Sequence, residues 1–287
     1  MVERSLHKAM VVGPSPTPAT VISMDTKCIG VLDSGVGGLT VLKEIVFELP
    51  HESIIYIGDS LYAPYGDKTS QEILALAKKL IVFLLQKNVK LIVIACNTIT
   101  VNGIEKLREI FPQIPIVGTV PVVKTAAQIT KNKKVGLLVT GATALSSYNT
   151  KLLQEFTKDC EVTIVGTNKL VPLIEAQQYE ELEEIIQEEL QPFHDESVDT
   201  IILGSTHFPV IRKQIAKFFS SKVILLDSGG AVARQGKRIL ENNKILAPKS
   251  YKPHYAFYTT GERTSFTTIA KNILEIEDLS VNHIVLQ

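Results

Sequence analysis

The chain has 287 residues, 45% of them hydrophobic, enough for a well-buried core in one large domain or two ordinary ones. Its 30 Lys and Arg are matched by 30 Asp and Glu, which argues against a broad nucleic-acid surface but not against a small anionic ligand. Cys28, Cys96 and Cys160 are odd in number and form no CxxC pair, so neither a disulfide framework nor a zinc site is indicated, and a reduced, cytoplasmic setting is expected.

No apolar run approaches the length of a membrane span. The first residues contain GPSPTPAT and lack the apolar core of a signal peptide. Residues 1–26 are therefore expected to be a mobile tail, with Met24 a candidate start. From Lys27 on, short apolar strands alternate with helical segments. The strand candidates in order are CIGVLDS, IIYIGD, LIVIAC, IPIVG, VGLLVT, EVTIVG, TIILGS and VILLDS. Helices are expected between them, for example over Gln71–Gln86 and Tyr179–Leu190. Strands apolar along their whole length, separated by helices, predict an α/β fold with parallel sheets buried on both faces. Ligands then sit beyond the C-terminal strand ends.

A weak internal repeat is visible. IGVLDSG at Ile29–Gly35 resembles VGLLVTG at Val135–Gly141, and LIVIACNT resembles TIILGSTH. Two similar lobes would face each other across a cleft, each bringing one strand-end cluster. The expected division is residues 27–120 plus the C-terminal segment for one lobe and 121–230 for the other. The competing explanation is that any α/β protein repeats apolar strands at such intervals.

Four strand-end stretches carry groups capable of chemistry. ACNT, Ala95–Thr98, ends a strand with a thiol, an amide and a hydroxyl. Taken alone, Cys96 is more often a small buried apolar residue. Asn97 and Thr98 beside it can bind a carboxylate, and nearby donors favour a thiolate. DSGVGG, Asp33–Gly38, matches no nucleotide-binding fingerprint. A tight turn is its ordinary explanation, while Asp33 suits a proton-handling neighbour of a thiol. PYG, Pro64–Gly66, is only a turn by itself. STH, Ser205–His207, places a histidine beside two hydroxyls. A serine hydrolase is disfavoured, because no G-x-S-x-G elbow is present and neighbouring strand residues point to opposite faces.

Taken together, LDSGVGGLTV, YIGDSLYAPYG, ACNT, LVPLIE, LGSTHFP and LLDSGG, in this order from Lys27 to about Lys237, resemble the cofactor-independent aspartate/glutamate racemase superfamily, and within it the glutamate racemases. The resemblance implies two pseudo-symmetric α/β lobes with the active site between them. It implies interconversion of L- and D-glutamate for peptidoglycan synthesis, with no cofactor or metal and glutamate as the only expected ligand. Neither nucleic acid nor membrane is an expected partner, and a homodimer is left open. Inversion needs a proton removed from one face of the α-carbon and returned to the other, by two acid/base groups. Carried onto this chain, Cys96 is one of them and Asp33 the carboxylate beside it. Asp33, Ser34, Tyr65, Gly66, Asn97, Thr98, Thr206 and His207 would hold the substrate, with Thr143 adding a carboxylate contact. Glu175 would orient His207.

Where the family has its second cysteine, this chain has Ser205. An alcohol is far less acidic than a thiol, whose ordinary pKa is about 8.5. A bare serine acting as base would lose roughly three to four powers of ten in rate, about 4–5 kcal/mol. Three readings of Ser205 follow: an engineered replacement, a natural slow or altered racemase, or a one-cysteine relative acting as decarboxylase or isomerase on a small dicarboxylate. A non-catalytic glutamate-binding pseudoenzyme is the alternative of a different class.

Overall fold

A computed structural model describes residues 10–11 and 26–286. Its strands in chain order are β1 (Met10–Val11), β2 (Ile29–Asp33), β3 (Ile54–Gly58), β4 (Leu91–Ile94), β5 (Ile116–Gly118), β6 (Lys134–Val139), β7 (Glu161–Gly166), β8 (Thr200–Leu203), β9 (Ile224–Leu226), β10 (His254–Thr259) and β11 (Val281–His283). They form two sheets. One runs β1-β10-β3-β2-β4-β5, with β11 also paired to β10; the other runs β7-β6-β8-β9. Every strand pairing is parallel.

The apolar sequence runs explain the central strands. β2, β3, β4 and β8 are buried at every position, because helices cover both faces of each sheet. β7 and β9 are partly exposed, as the outer strands of the smaller sheet must be. All eight expected strands are present. β10 was not anticipated: HYAFYT alternates between buried and less buried residues and lacks the continuous apolar run of the others. Among residues 1–26, only Met10–Val11 and Thr26 are described. Met10–Val11 pairs with His254–Tyr255, and the remainder of the expected tail lies outside the described residues.

Local signals set the helix ends. The Ser70–Gln86 helix begins at a reciprocal cap, in which Thr69 Oγ1 accepts the Glu72 N–H and Glu72 Oε2 accepts the Thr69 N–H. The Tyr179 helix runs on to Asp195, past the expected end at Leu190 and through Pro192. After β9 the chain crosses back. The Gly229–Asn242 helix packs Val232, Ala233 and Leu240 into the core over the larger sheet, beside Leu39, Leu42 and Ile45 of the Leu39–Glu48 helix. Beneath that sheet a buried ion pair fixes the returning chain. Lys90 Nζ lies 2.7 Å from Glu52 Oε2 and donates to the Ile245 carbonyl, while Glu52 Oε1 accepts the Ala247 N–H. Among the described residues no helix is long and apolar enough to cross a membrane.

The two sheets share a local order. β3-β2-β4-β5 and β7-β6-β8-β9 have the same sequence of neighbours, all parallel. The registers also correspond. Leu32 of β2 lies opposite Ile94 of β4, and Leu138 of β6 lies opposite Leu203 of β8. Cys96 is two residues past Ile94 and Ser205 two residues past Leu203, so the repeat puts thiol and hydroxyl at matching strand ends.

Candidate active site

The C-terminal strand ends of both sheets meet around one small cavity lined by many polar side chains. Ser34, Tyr65, Gly66, Cys96, Asn97, Thr98, Glu175, Ser205, Thr206 and His207 line it, together with Ala63, Pro64, Thr140, Asn168 and Val171. Two expected site residues sit just behind this wall. Asp33 is fully buried and accepts from Thr206 Oγ1 at 3.0 Å. Thr143 reaches the wall through Thr140 and Thr98, with oxygen separations of 3.1 and 3.5 Å. The enclosed free volume is about 20 Å³, the scale of a water molecule.

Each polar group owes its position to a strand end or a helix start. β2 ends at Asp33, whose Oδ1 accepts Ser34 Oγ and the Gly35 N–H at 3.1 and 3.0 Å. The turn thereby fixes the carboxylate. Cys96 is the N-cap residue of the Asn97–Ile110 helix, and the Ile99 backbone N–H acts on its sulfur. Ser34 Oγ lies 3.4 Å from that sulfur. Across the cleft, His207 Nε2 lies 2.8 Å from Glu175 Oε1. Gly35 leaves room for this pair, because a Cβ at this position would push the Glu175 carboxylate aside.

The electrostatics oppose a resting thiolate. Burial first, and the Asp33 charge second, push the Cys96 thiol up to about 12. Hydrogen bonds from Ser34 and the Ile99 backbone act the other way and are outweighed. Burial also raises the Asp33 carboxyl, against the pull of His207 and of its three donors. For His207, burial disfavours the imidazolium, but Glu175 and Asp33 together outweigh burial and raise its pKa. The lining contains no Lys or Arg. Apart from His207, anionic groups would be met by hydroxyls, amides and backbone N–H groups. Asn97 Nδ2 is buried without a hydrogen-bond partner, a costly state that a ligand oxygen would relieve. Among the described residues no group of three or more His, Cys, Asp or Glu could hold a metal ion.

The matching polar wall coincides with sequence kinship. Residues 29–236 match the Asp/Glu/Hydantoin racemase family. The chain belongs to that family. Two relatives named glutamate racemase share its length. That of Enterococcus faecalis is 37% identical over 264 residues, 91% of this chain and 96% of its own. That of Lactococcus lactis subsp. cremoris is 38% identical over 263 residues, with the same coverage. Solved racemase structures superpose well. Bacillus anthracis glutamate racemase RacE1 gives a TM-score of 0.82 at 34% identity, and the Francisella tularensis enzyme in complex with D-glutamate gives 0.80 at 32%. Each match covers 91% of this chain and 98% of the other.

Within this racemase-family cleft, several participants were not anticipated. Thr140 directly follows β6 and Asn168 follows β7, so the strand-end rule applied to VGLLVT and EVTIVG would have found both. Asp59, at the end of IIYIGD, accepts from Tyr65 Oη and Thr260 Oγ1 and so holds the Tyr65 ring. Thr260 follows the unforeseen strand β10, which gave that contact no local signal.

Proposed function

We propose that this protein is a glutamate racemase whose two lobes, residues 27–120 with the C-terminal segment and residues 121–230, close on glutamate and present Cys96 and Ser205 to opposite faces of its α-carbon. The observation that carries this reading is that Cys96 and Ser205 occupy matching strand ends of two like-ordered sheets and line one cavity. The racemases named above support the substrate.

In the D-to-L direction, the reverse of the one that forms D-glutamate, a Cys96 thiolate takes the α-proton of D-glutamate, leaving the electron pair on carbon, delocalised into the carboxylate. A proton delivered from the Ser205 side then gives L-glutamate. The thiolate is disfavoured in the free site, as the raised thiol pKa indicates. The substrate ammonium supplies the missing positive charge, offsetting the field of the buried Asp33 carboxylate behind the wall. Asn97 Nδ2 and the hydroxyls of Thr98, Thr140 and Thr206 suit the substrate carboxylates. Thr143 supports that row from behind, Ser34 and the Tyr65–Gly66 segment close the first-lobe side, and Glu175 holds His207 in place. No cofactor or metal enters the reaction, and the D-glutamate formed serves peptidoglycan synthesis.

Ser205 makes the two proton transfers unequal in difficulty, although racemisation itself is slowed equally from either enantiomer. The serine donates a proton poorly and removes one still more poorly, because an alkoxide is inaccessible near neutral pH. Racemisation is therefore slow while proton removal from D-glutamate by Cys96 persists. Incubating glutamate with the protein and following optical rotation or chiral chromatography tests the activity. Glutamate binding with no turnover, in the parent and in Ser205→Cys alike, would replace the racemase with a binding protein.

A further inference from the structure

The cleft is closed to its substrate as it stands. Its free volume is near that of one water, and glutamate is several times larger. Something at the rim must let go for glutamate to enter and re-form once it is inside. On the floor, Thr206 bonds to Asp33 and Thr40 Oγ1 donates to the Thr206 carbonyl at 2.9 Å. In the wall, Thr98 Oγ1 lies 3.0 Å from Thr140 Oγ1 of the other lobe, and at the solvent-exposed rim a half-buried side chain, Asn168, from the loop after β7, also crosses.

Asn168 uses both ends of its amide. Its Oδ1 accepts the Gly141 N–H at 2.9 Å, which locks the side chain to its own lobe. Its Nδ2 donates to Asp67 Oδ1, on the Tyr65–Asp67 segment of the opposite lobe. Two glycines make this seat. A Cβ at Gly66 would stand 2.7 Å from Asn168 Oδ1, and one at Gly141 would stand 2.9 Å from Nδ2. Contacts that short are not tolerated by real side chains. Gly66 itself lines the cavity beside Tyr65. The amide thus sits against the backbone that walls the substrate site on the first lobe. Asp67 is exposed, so this bond lies where the cleft opens to solvent.

We propose that Asn168 is a positioning residue that latches the rim of the cleft, holding the Tyr65–Gly66 segment closed over bound glutamate through Asp67. The proposal rests on the glutamate-racemase reading for its ligand, but the latch can be tested without one. An amide is required at position 168 because it must accept from Gly141 and donate to Asp67 at once. A carboxylate there keeps the first bond and opposes the second.

The experiment compares the parent, Asn168→Asp, Asp67→Asn and the double variant Asn168→Asp/Asp67→Asn. The double variant restores one amide and one carboxylate with the donor reversed. The first readout needs no substrate: the rate at which iodoacetamide alkylates Cys96, followed by peptide mass spectrometry. Cys96 is buried behind the closed rim, so its alkylation reports opening. Asn168→Asp should speed it by roughly fivefold, and the double variant should return it to within about twofold of the parent. The second readout is D-glutamate affinity by calorimetry. Asn168→Asp should weaken binding by a similar factor, because the closed, binding-competent state is less populated, and the double variant should recover it. Unchanged Cys96 alkylation in Asn168→Asp, or a double variant as fast as the single one, would overturn the latch. A parent that binds no glutamate while the alkylation pattern holds would instead remove the glutamate reading and leave the latch standing.

Discussion

Thr206 Oγ1 donates to Asp33 Oδ2 at 3.0 Å, across a separation of 173 residues in the chain. The neighbour of Ser205 is thereby tied to the carboxylate behind Cys96, and the two halves of the proton-transfer site are locked to one another. Asp33 is fully buried, so this bond is shielded from water. The relationship makes the site a single unit in which a change on one lobe is felt on the other.

Replacing Ser205 by Cys should raise racemisation by roughly three to four powers of ten. Both directions must rise together, since an enzyme cannot bias the equilibrium between mirror images. Initial rates from L- and D-glutamate by chiral chromatography measure this. An unchanged rate would assign the second proton to His207 or a bound water.

Asp33 is one cause of the high Cys96 pKa, after burial. In Asp33→Asn that charge is gone while burial remains. The Cys96 thiol should therefore titrate below its value in the parent yet stay above the ordinary range of about 8.5. Ultraviolet absorbance of the thiolate, taken as the difference from Cys96→Ala, follows the titration. A thiol pKa that stays put or rises would show that Asp33 does not act on Cys96 through its charge.

How much of this was readable beforehand follows from the range of each signal. Asp33, Cys96 and Ser205 end continuous apolar runs, so strand and strand end are visible within a few residues. Their meeting in one cavity followed from the repeat, because strand-end clusters in two lobes of the same order converge. The partners of Asn168 were not visible, since Asp67 lies 101 positions away and neither residue sits in a patterned segment. Strand β10 was missed for another reason. It buries Tyr255, Phe257 and Thr259 but leaves His254, Ala256 and Tyr258 less buried, so it lacks the apolar continuity that marks the other strands, although it pairs with β3 on one side and with β1 and β11 on the other.

Glu175 is the largest influence raising the His207 pKa against the opposing effect of burial. A histidine whose folded pKa lies above its ordinary value of 6.5 adds stability in full below that value, and the contribution fades as pH rises through the folded pKa. Glu175→Gln should therefore destabilise most near about pH 6, by about 1.5–3 kcal/mol, with the deficit shrinking at alkaline pH. Urea unfolding of parent and variant across this range provides the comparison. A deficit independent of pH would mean that His207 carries no charge against Glu175.

The Lys90–Glu52 pair is buried, with side chains 1% and 2% exposed. Lys90→Met leaves a carboxylate without its cation and should cost about 3–5 kcal/mol in urea unfolding. The double variant Lys90→Met/Glu52→Gln should recover much of that loss, since no buried charge remains and Gln can still accept the Ala247 N–H. A single variant as stable as the parent would show that the pair does not anchor the chain at Ile245–Ala247.

Proton exchange in deuterated water addresses the division of labour between Cys96 and Ser205 most directly. D-glutamate incubated with the protein should gain α-deuterium, seen by proton NMR, faster than L-glutamate accumulates, provided the Cys96 proton exchanges with solvent during the lifetime of the intermediate. L-glutamate should exchange slowly, and Cys96→Ala should abolish exchange into D-glutamate. Equal exchange into both enantiomers, or exchange into D-glutamate that survives Cys96→Ala, would contradict the assignment of Cys96 as the base on the D face and Ser205 as its weak counterpart.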